Sequence, residues 1–220
     1  PLGVSGLVLF LTSRRVIERD AEQLLDARAE QLALELDGLH RGHQRVAAGL
    51  AELAAVRRFL TLGERDRDVE APAVRLLLEQ MGGGAAVFQA ALFDAGGVPL
   101  LSSGYGGELR PPRSSTSGVF LAPAQAGAVP LIAYSAPVRV QPAGAIVVFV
   151  RAAFLKDAVS AADRRTGEGS FAVVMDEHGI RMAHSFLPEL MYRPSDPLDP
   201  ATVEQMVDER RFGEKTRELL

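Results

Sequence analysis

Two groups of histidine and acidic residues are the first places in this sequence where side-chain chemistry is conceivable. His40 and His43 are three residues apart, a spacing that can chelate a metal ion from one face of a helix. Neither a cysteine nor a carboxylate at the next helical position completes that pair. The second group lies between Asp176 and His184 and surrounds a turn, where polar residues are common for structural reasons. We therefore predict no metal site and no cofactor.

Catalytic motifs are missing from the sequence. It contains no Gly-x-Ser-x-Gly elbow, no phosphate-binding loop, no dinucleotide fingerprint and no His-Glu-x-x-His helix. The serines between Ser102 and Ser117 have no histidine close in sequence, so a catalytic triad would need distant segments. We therefore expect a binding protein and not an enzyme.

Composition narrows the class of protein further. The chain has 220 residues, of which 47% are hydrophobic, which is ample for a buried core. Cysteine is absent, and this excludes disulfides and thiolate metal sites. The net charge is −4, and no basic run interleaved with aromatic residues occurs. A nucleic-acid partner is not expected.

The N-terminus is apolar and ends at a pair of arginines. Residues 2–12 carry no charge and are followed by Arg14 and Arg15. A membrane-spanning helix needs about 20 apolar residues, so this run is too short by itself. We interpret residues 1–13 as the last turns of a transmembrane helix. The alternative is the start of a buried helix.

Residues 14–62 have the pattern of one long helix. They contain no proline, and a heptad repeat with two polar interruptions runs along them. At 1.5 Å per residue such a helix would extend roughly 70 Å, which suits a stalk that connects distant parts of a protein. The positions of this predicted seam are Leu25, Ala29, Leu32, Leu36, Leu39, His43, Val46, Leu50, Leu53, Arg57 and Leu60.

Two similar hairpins occur about eighty residues apart, at 88–98 and 171–180. Each has an apolar strand, an Asp, two spacers, a Gly, a β-branched residue and a second strand that runs into serine, at Ser102 and Ser185. The Asp carboxylate can accept bonds from the turn amides, and the Gly can take a positive φ. The repetition suggests a duplicated module.

The remaining pattern predicts a mixed α and β chain. A charged break at 63–68 precedes a short helix, the sheet region follows, and a second helix leads into the second hairpin. A loop is marked by Pro188, Pro194, Pro197 and Pro200. Asp199, near the end of this loop, can cap a last helix at 201–210. We predict helices at 73–81 and 152–162, and strands at 86–93, 98–102, 118–122, 130–140 and 144–151.

In this order of elements the chain resembles the double Cache ectodomain of bacterial chemoreceptors and sensor histidine kinases. The resemblance implies an α+β fold, in which a long N-terminal stalk helix precedes a PAS-like module with a five-stranded antiparallel sheet and a partial second module. Residues 63–165 would form the membrane-distal module and residues 166–220 the start of an incomplete proximal one. The resemblance rests on the N-terminal helix and stalk and on residues 88–103, 132–138, 144–155 and 170–185.

The same resemblance places a small ligand between the distal sheet and a capping loop. Amino-acid-sensing members carry a Tyr-x-Arg-x-aromatic signature in the cap and an Asp at the end of the last distal strand. Here the cap offers Tyr105, Arg110 and Arg113 in a different spacing, and the strand 146–151 has no acid. That departure favours a small carboxylate or other anion held by guanidinium groups. Tyr134 could donate a hydroxyl into the cavity, or could be a core tyrosine with a satisfied hydroxyl.

The resemblance also implies a function. We expect the extracytoplasmic sensing region of a methyl-accepting chemotaxis protein or histidine kinase, anchored in the inner membrane with this region in the periplasm or extracellular space. The stalk helix would pair with a second copy in a homodimer. The alternatives are a structural coiled-coil dimerisation protein and a cytoplasmic PAS-like sensor.

Overall fold

A long N-terminal helix and a five-stranded antiparallel sheet dominate the fold, which confirms the predicted α+β class. The computed structural model describes residues 2–82, 87–103, 118–122, 131–166, 169–208, 211–212 and 216–220. The helices are α1 Leu2–Glu52, α2 Ala54–Thr61, α3 Glu64–Gly82, α4 Ala153–Thr166, α5 Pro200–Asp208 and α6 Thr216–Leu219, with a 3₁₀ turn at Pro188–Leu190. The strands are β1 Val87–Asp94, β2 Pro99–Ser102, β3 Gly118–Ala122, β4 Leu131–Val138, β5 Gly144–Arg151, β6 Val173–Met175 and β7 Arg181–His184.

The predicted stalk helix is interrupted near its C-terminal end. Continuous helix as far as residue 62 was expected, but α1 ends at Glu52 and Leu53 has an extended backbone, with φ −62° and ψ 129°. The break turns α2 so that its apolar side, formed by Val56, Phe59 and Leu60, is buried in the core. Burial of these side chains outweighs continuation of the helix.

The prediction of a charged break at 63–68 is wrong, because α3 begins at Glu64 and contains Pro72. Acidic residues in a first turn stabilise a helix through its dipole. The guanidinium of Arg67 donates to the carbonyls of Phe59 and Leu60, at 3.3 and 2.9 Å, and ties α3 to the end of α2. Charged residues therefore begin this helix and do not interrupt it.

The five-stranded sheet has the order β2-β1-β5-β4-β3, and all neighbouring strands are antiparallel. Every strand lies within two residues of its predicted bounds, and β3 and β5 match them. The side chains of each strand alternate between two faces. We call the face that packs on the helices the inner face and the opposite one the outer face.

The inner face and the helices form the main core. α1 lies along β4 and β5, and α3 lies along β1 and β2. Helical residues such as Leu50 and Leu78 are buried in one cluster with Ile146 and Val148 of the sheet. The outer face has its own buried cluster, which consists of strand residues: Ala91, Phe93, Leu131, Ala133, Val147 and Phe149.

The second hairpin forms a separate two-stranded sheet of β6 and β7, joined to the main core through α4. Ala183 of β7 is buried in the main core cluster. After it, the predicted cap of α5 is confirmed, because Asp199 Oδ1 accepts the amide of Ala201 at 2.9 Å. Met206 of α5 is buried.

Residues 13–27 of α1 are exposed. Apolar side chains there, including Val16, Ile17, Leu24 and Leu25, are open to solvent. Farther along, Leu39 of the predicted seam is 39% exposed, and the buried residues among the described side chains of α1 are Leu36, Ala47, Leu50 and Ala51. Within the described ranges, no helix combines the length and apolar character that crossing a membrane requires.

Candidate functional site

The outer face of the sheet brings polar and short side chains into adjacent rows. Strand register sets these rows, because directly paired residues of antiparallel strands point to the same face. Across β1, β5 and β4 the rows are Gln89–Phe149–Ala133 and Ala91–Val147–Ser135. The two polar residues of these rows, Gln89 and Ser135, are buried.

The side chain of Gln89 is buried on the outer face. Its side chain is 4% exposed, and its Oε1 has no hydrogen-bond donor among the described residues. A buried acceptor without a donor costs about 1–3 kcal/mol, so such groups call for an explanation. A ligand that donates a hydrogen bond would satisfy it.

Arg151 supplies a cation at the edge of the same face. Arg151 pairs with Leu131, and this pair lies two residues along the strands from the Phe149–Ala133 pair of the Gln89 row. The register therefore places the Arg151 side chain on the outer face. Its guanidinium carbon lies 5.2 Å from the centroid of the Phe88 ring, and the side chain is exposed. An arginine held on an aromatic ring is a suitable contact for a carboxylate.

Tyr134 lies on the inner face, because its neighbours on β4, Ala133 and Ser135, have the outer-face parity. Its side chain is fully buried, and its hydroxyl lies 2.8 Å from Nδ1 of His40 on α1. Burial raises the pKa of this hydroxyl well above its usual value. The geometry is that of a core tyrosine with a satisfied hydroxyl, and the assignment of Tyr134 as a ligand contact stays a prediction.

The other three predicted site residues, Tyr105, Arg110 and Arg113, lie outside the described residues. Gln89, Ser135 and Arg151 were not predicted from the sequence. Strand parity offered a signal for Ser135, since it adjoins Tyr134 and the two must face opposite sides of the sheet. For Gln89, the available signal was a polar residue within the otherwise apolar segment 87–93 of β1.

The two histidines of α1 meet the sheet at Tyr134. The ring of His43 lies 5.1 Å from that of Tyr134, and Phe154 of α4 lies 5.9 Å from His40 and 6.2 Å from His43. Burial lowers the pKa of His40, an effect that Asp37 partly offsets. Burial and then the neighbouring His40 lower the pKa of His43. We call these four rings, His40, His43, Tyr134 and Phe154, the stalk cluster.

Asp176 and His184 of the second hairpin have structural roles. Asp176 Oδ1 accepts the amides of His178 and Ile180, and its Oδ2 accepts from Arg211 at 2.8 Å. Nδ1 of His184 accepts the amides of Phe186 and Leu187. Within the described part of the chain, no three His, Asp or Glu side chains are grouped to hold a metal ion.

Comparison with known proteins finds similarity in structure alone. No protein-family model and no curated protein sequence matches the chain. The sensor domain of the V. cholerae histidine kinase DctB superimposes with a TM-score of 0.65 at 14% identity, covering 85% of this chain and 75% of that one. The ligand-binding domain of the Pseudomonas fluorescens chemoreceptor CtaA, solved with L-isoleucine, gives 0.58 at 18% identity, covering 83% and 76%.

A third structure agrees with these two. The extracellular domain of the putative histidine kinase vpHK1S-Z8 gives a TM-score of 0.53 at 12% identity, covering 91% of this chain and 79% of that one. The fold is therefore that of the Cache-type extracytoplasmic sensor domains of histidine kinases and chemoreceptors. The resemblance inferred from the sequence is confirmed at the level of the fold.

Proposed function

We propose that this chain is the ligand-sensing region of a transmembrane receptor, a chemoreceptor or a histidine kinase, and that it binds a small carboxylate or other anion on the outer face of the sheet. The observation that carries the site is Gln89, a buried amide whose Oε1 finds no donor among the described residues. The proposed role of the chain is to bind this ligand and not to catalyse a reaction.

The side chains of the outer face limit the chemistry of the ligand. Gln89 Oε1 needs a hydrogen-bond donor, and the guanidinium of Arg151 suits a carboxylate. A small carboxylate that also carries a hydroxyl or amide N–H group meets both needs. A ligand ammonium group is less suited, since the outer-face residues named above include no acid.

The structural neighbours support a small-molecule ligand. The matching domain of CtaA was solved with L-isoleucine, and that of Campylobacter jejuni Tlp3 with L-valine. Both of those ligands carry a carboxylate. The short side chains of Ala91, Ala133 and Ser135 would let such a group approach the centre of the sheet closely.

The stalk and the membrane anchor belong to the same proposal. Residues 1–13 would be the end of a transmembrane helix, 14–62 the stalk, 63–165 the membrane-distal module and 166–220 the start of the proximal module, outside the cytoplasm. The exposed apolar side chains of α1, among them Ile17 and Leu24 at heptad spacing, support pairing with a second stalk. Ligand binding would then shift the sheet against this helix.

A calorimetric titration with small carboxylates, hydroxycarboxylates and neutral amides tests the ligand site. We expect a carboxylate to bind, and Gln89→Leu and Arg151→Gln each to weaken that binding about tenfold or more, since each removes a direct contact. Arg139→Gln is the matched control, because Arg139 is an exposed arginine beyond the far end of β4. It should leave the affinity unchanged.

Two results would contradict the proposal. Failure of every carboxylate to bind at millimolar concentration would exclude the ligand class and favour the structural coiled-coil alternative. Full affinity in both Gln89→Leu and Arg151→Gln would place the ligand elsewhere. Thermal unfolding of each variant separates loss of binding from loss of fold.

A further inference from the structure

The stalk cluster joins the three elements that ligand-driven motion would have to move. His40 and His43 belong to α1, Tyr134 to β4 and Phe154 to α4. His40 Nδ1 and the Tyr134 hydroxyl are 2.8 Å apart, which makes this a direct polar link between the helix and the sheet. Its partners are 94 residues apart in the chain, so only the tertiary fold brings them together.

Strand β4 carries side chains on both faces of the sheet. Ala133 and Ser135 lie on the outer face, while Tyr134 between them reaches the stalk. A change in the contact between Tyr134 and His40 therefore alters how β4 is held on its inner side. Through this contact, a change in the stalk cluster would alter the position of α1 on the sheet.

Few charged groups surround the two imidazoles. On α1, Asp37 favours the protonated form of His40, and His40 disfavours protonation of His43. β4 contributes the neutral Tyr134, and the sequences of β3 and of residues 144–150 of β5 contain no ionisable residue. α4 contributes Phe154, and its charged Lys156 and Asp157 are exposed. None of the ion pairs in the described ranges involves either imidazole, so a proton added there would be poorly compensated.

We propose that protonation of His40 and His43 loosens the contact between the stalk helix and β4, so that acidity acts on the stalk as a second input beside the ligand. In the tautomer that carries its proton on Nε2, the neutral His40 accepts the Tyr134 O–H at Nδ1. Once protonated, Nδ1 can only donate, and the hydroxyl must turn its own proton elsewhere. Two cations three residues apart on one helix face also repel each other.

The direction of the pH dependence follows from the lowered pKa values. Above about pH 7.5, one unit above the ordinary histidine value, both imidazoles are largely neutral in the folded and the unfolded chain. As the pH falls below that value, the unfolded chain binds protons that the folded chain excludes, and folding is disfavoured. Each histidine then raises the unfolding constant by up to about tenfold per pH unit, until the folded form is protonated as well.

An NMR titration of the intact, ligand-free chain tests proton binding. The imidazole signals of His40 and His43 should titrate below pH 6.5, and denaturation should show the unfolding constant rising between pH 6.5 and 5. In the double variant His40→Asn/His43→Phe this rise should be smaller. Asn places an amide where Nδ1 lay, and Phe keeps a ring beside Tyr134. Titration of either imidazole at or above pH 6.5 overturns the proposal.

Spin labels test the movement itself. Because the chain has no cysteine, Gln44→Cys and Lys156→Cys give two exposed label sites, on α1 and α4. The distance distribution between them should shift or broaden from pH 7.5 to 5.5, and should stay constant in the double variant. His178→Asn removes an exposed histidine of the second hairpin and should behave as the unsubstituted chain.

An unchanged distance distribution in the chain with both histidines overturns the proposal. So does a shift of equal size in the double variant. Because no ligand is added, these outcomes are independent of the outer-face site, and either proposal can fail while the other stands.

Discussion

The two hairpins of this chain have the same local bonding and opposite burial. Residues 90–103 match residues 172–185 at a constant offset, without an insertion. Asp94 and Asp176 each use Oδ1 to accept the amides two and four residues ahead, at 2.8–2.9 Å. The glycines at the turn, Gly97 and Gly179, have φ values of 79° and 73°.

The matching extends to the serines at the hairpin ends. Ser103 Oγ accepts the amide of Ala90 at 2.9 Å, and Ser185 Oγ accepts that of Ala172 at 3.0 Å. Ser102 was predicted to correspond to Ser185, and the hydrogen bonds show that the equivalent residue is Ser103. Both hairpins are thus closed by the same side-chain contacts at the turn and at the open end.

The burial of the two copies differs because different elements pack on them. Phe93 is 1% exposed, whereas its counterpart Met175 is 47% exposed. At the other side of the turn, Val98 is 56% exposed and Ile180 is fully buried. β1 pairs with β5 along its length, while Ile180 forms a bridge with Pro194 in the segment that follows β7. The turn chemistry is local, but burial depends on the neighbours.

The largest expected effect comes from the buried aromatic residue of the first copy. Phe93→Ala should lower the free energy of unfolding by about 3–5 kcal/mol, because it leaves a cavity in the outer-face cluster. Met175→Ala, the matched substitution in the second copy, should change it by less than about 0.5 kcal/mol. Chemical denaturation of both variants measures the difference, and equal losses would refute the contrast in burial.

The reverse contrast is expected across the turn. Ile180→Ala should cost about 2–4 kcal/mol, since it removes a fully buried side chain, while Val98→Ala should cost less than about 0.5 kcal/mol. Hydrogen exchange of the β6–β7 amides checks whether the loss is local to the second hairpin. Protection that survives in Ile180→Ala would mean that the second copy does not depend on this contact.

The smallest effect separates the two aspartates. Asn keeps an oxygen that can accept the turn amides, so Asp94→Asn should cost less than about 0.5 kcal/mol. Asp176→Asn also removes the ion pair with Arg211, which lies at 2.8 Å and is largely buried, and should cost about 1–3 kcal/mol. Thermal unfolding at pH 7 measures both. Adding Arg211→Gln to each variant should remove most of the difference, and a difference that persists would point to the turn itself.

Much of the secondary structure could be predicted, because it depends on residues close in sequence. The hairpin turns, the strand bounds and the Asp199 cap all involve hydrogen bonds that span four residues or fewer, or the alternation within a strand. The prediction failed at two helix boundaries. α2 separates from α1 at Leu53, where burial of its apolar side decides the backbone, and α3 begins at Glu64, within a run of charged residues that was predicted as a break.

The candidate site was harder to predict than the fold. Tyr134 was predicted either to donate into a cavity or to be a core tyrosine, and only the packing of β4 on α1 reveals that it meets His40, 94 residues away. His40 and His43 were considered as metal ligands, and neither was linked to Tyr134. No pattern of neighbouring residues in the sequence predicts such a contact.

The sequence alone determined the repeated Asp-x-x-Gly turns and the order of helices and strands, because these depend on hydrogen bonds and side-chain alternation within a few residues. The tertiary structure alone decided which copy buries the residue before its turn Asp, where the stalk meets β4, and that the buried Gln89 has no donor for its Oε1 among the described residues. Those features depend on strands and helices that are distant in sequence. Burial and pairing are set by whichever surfaces the fold brings together.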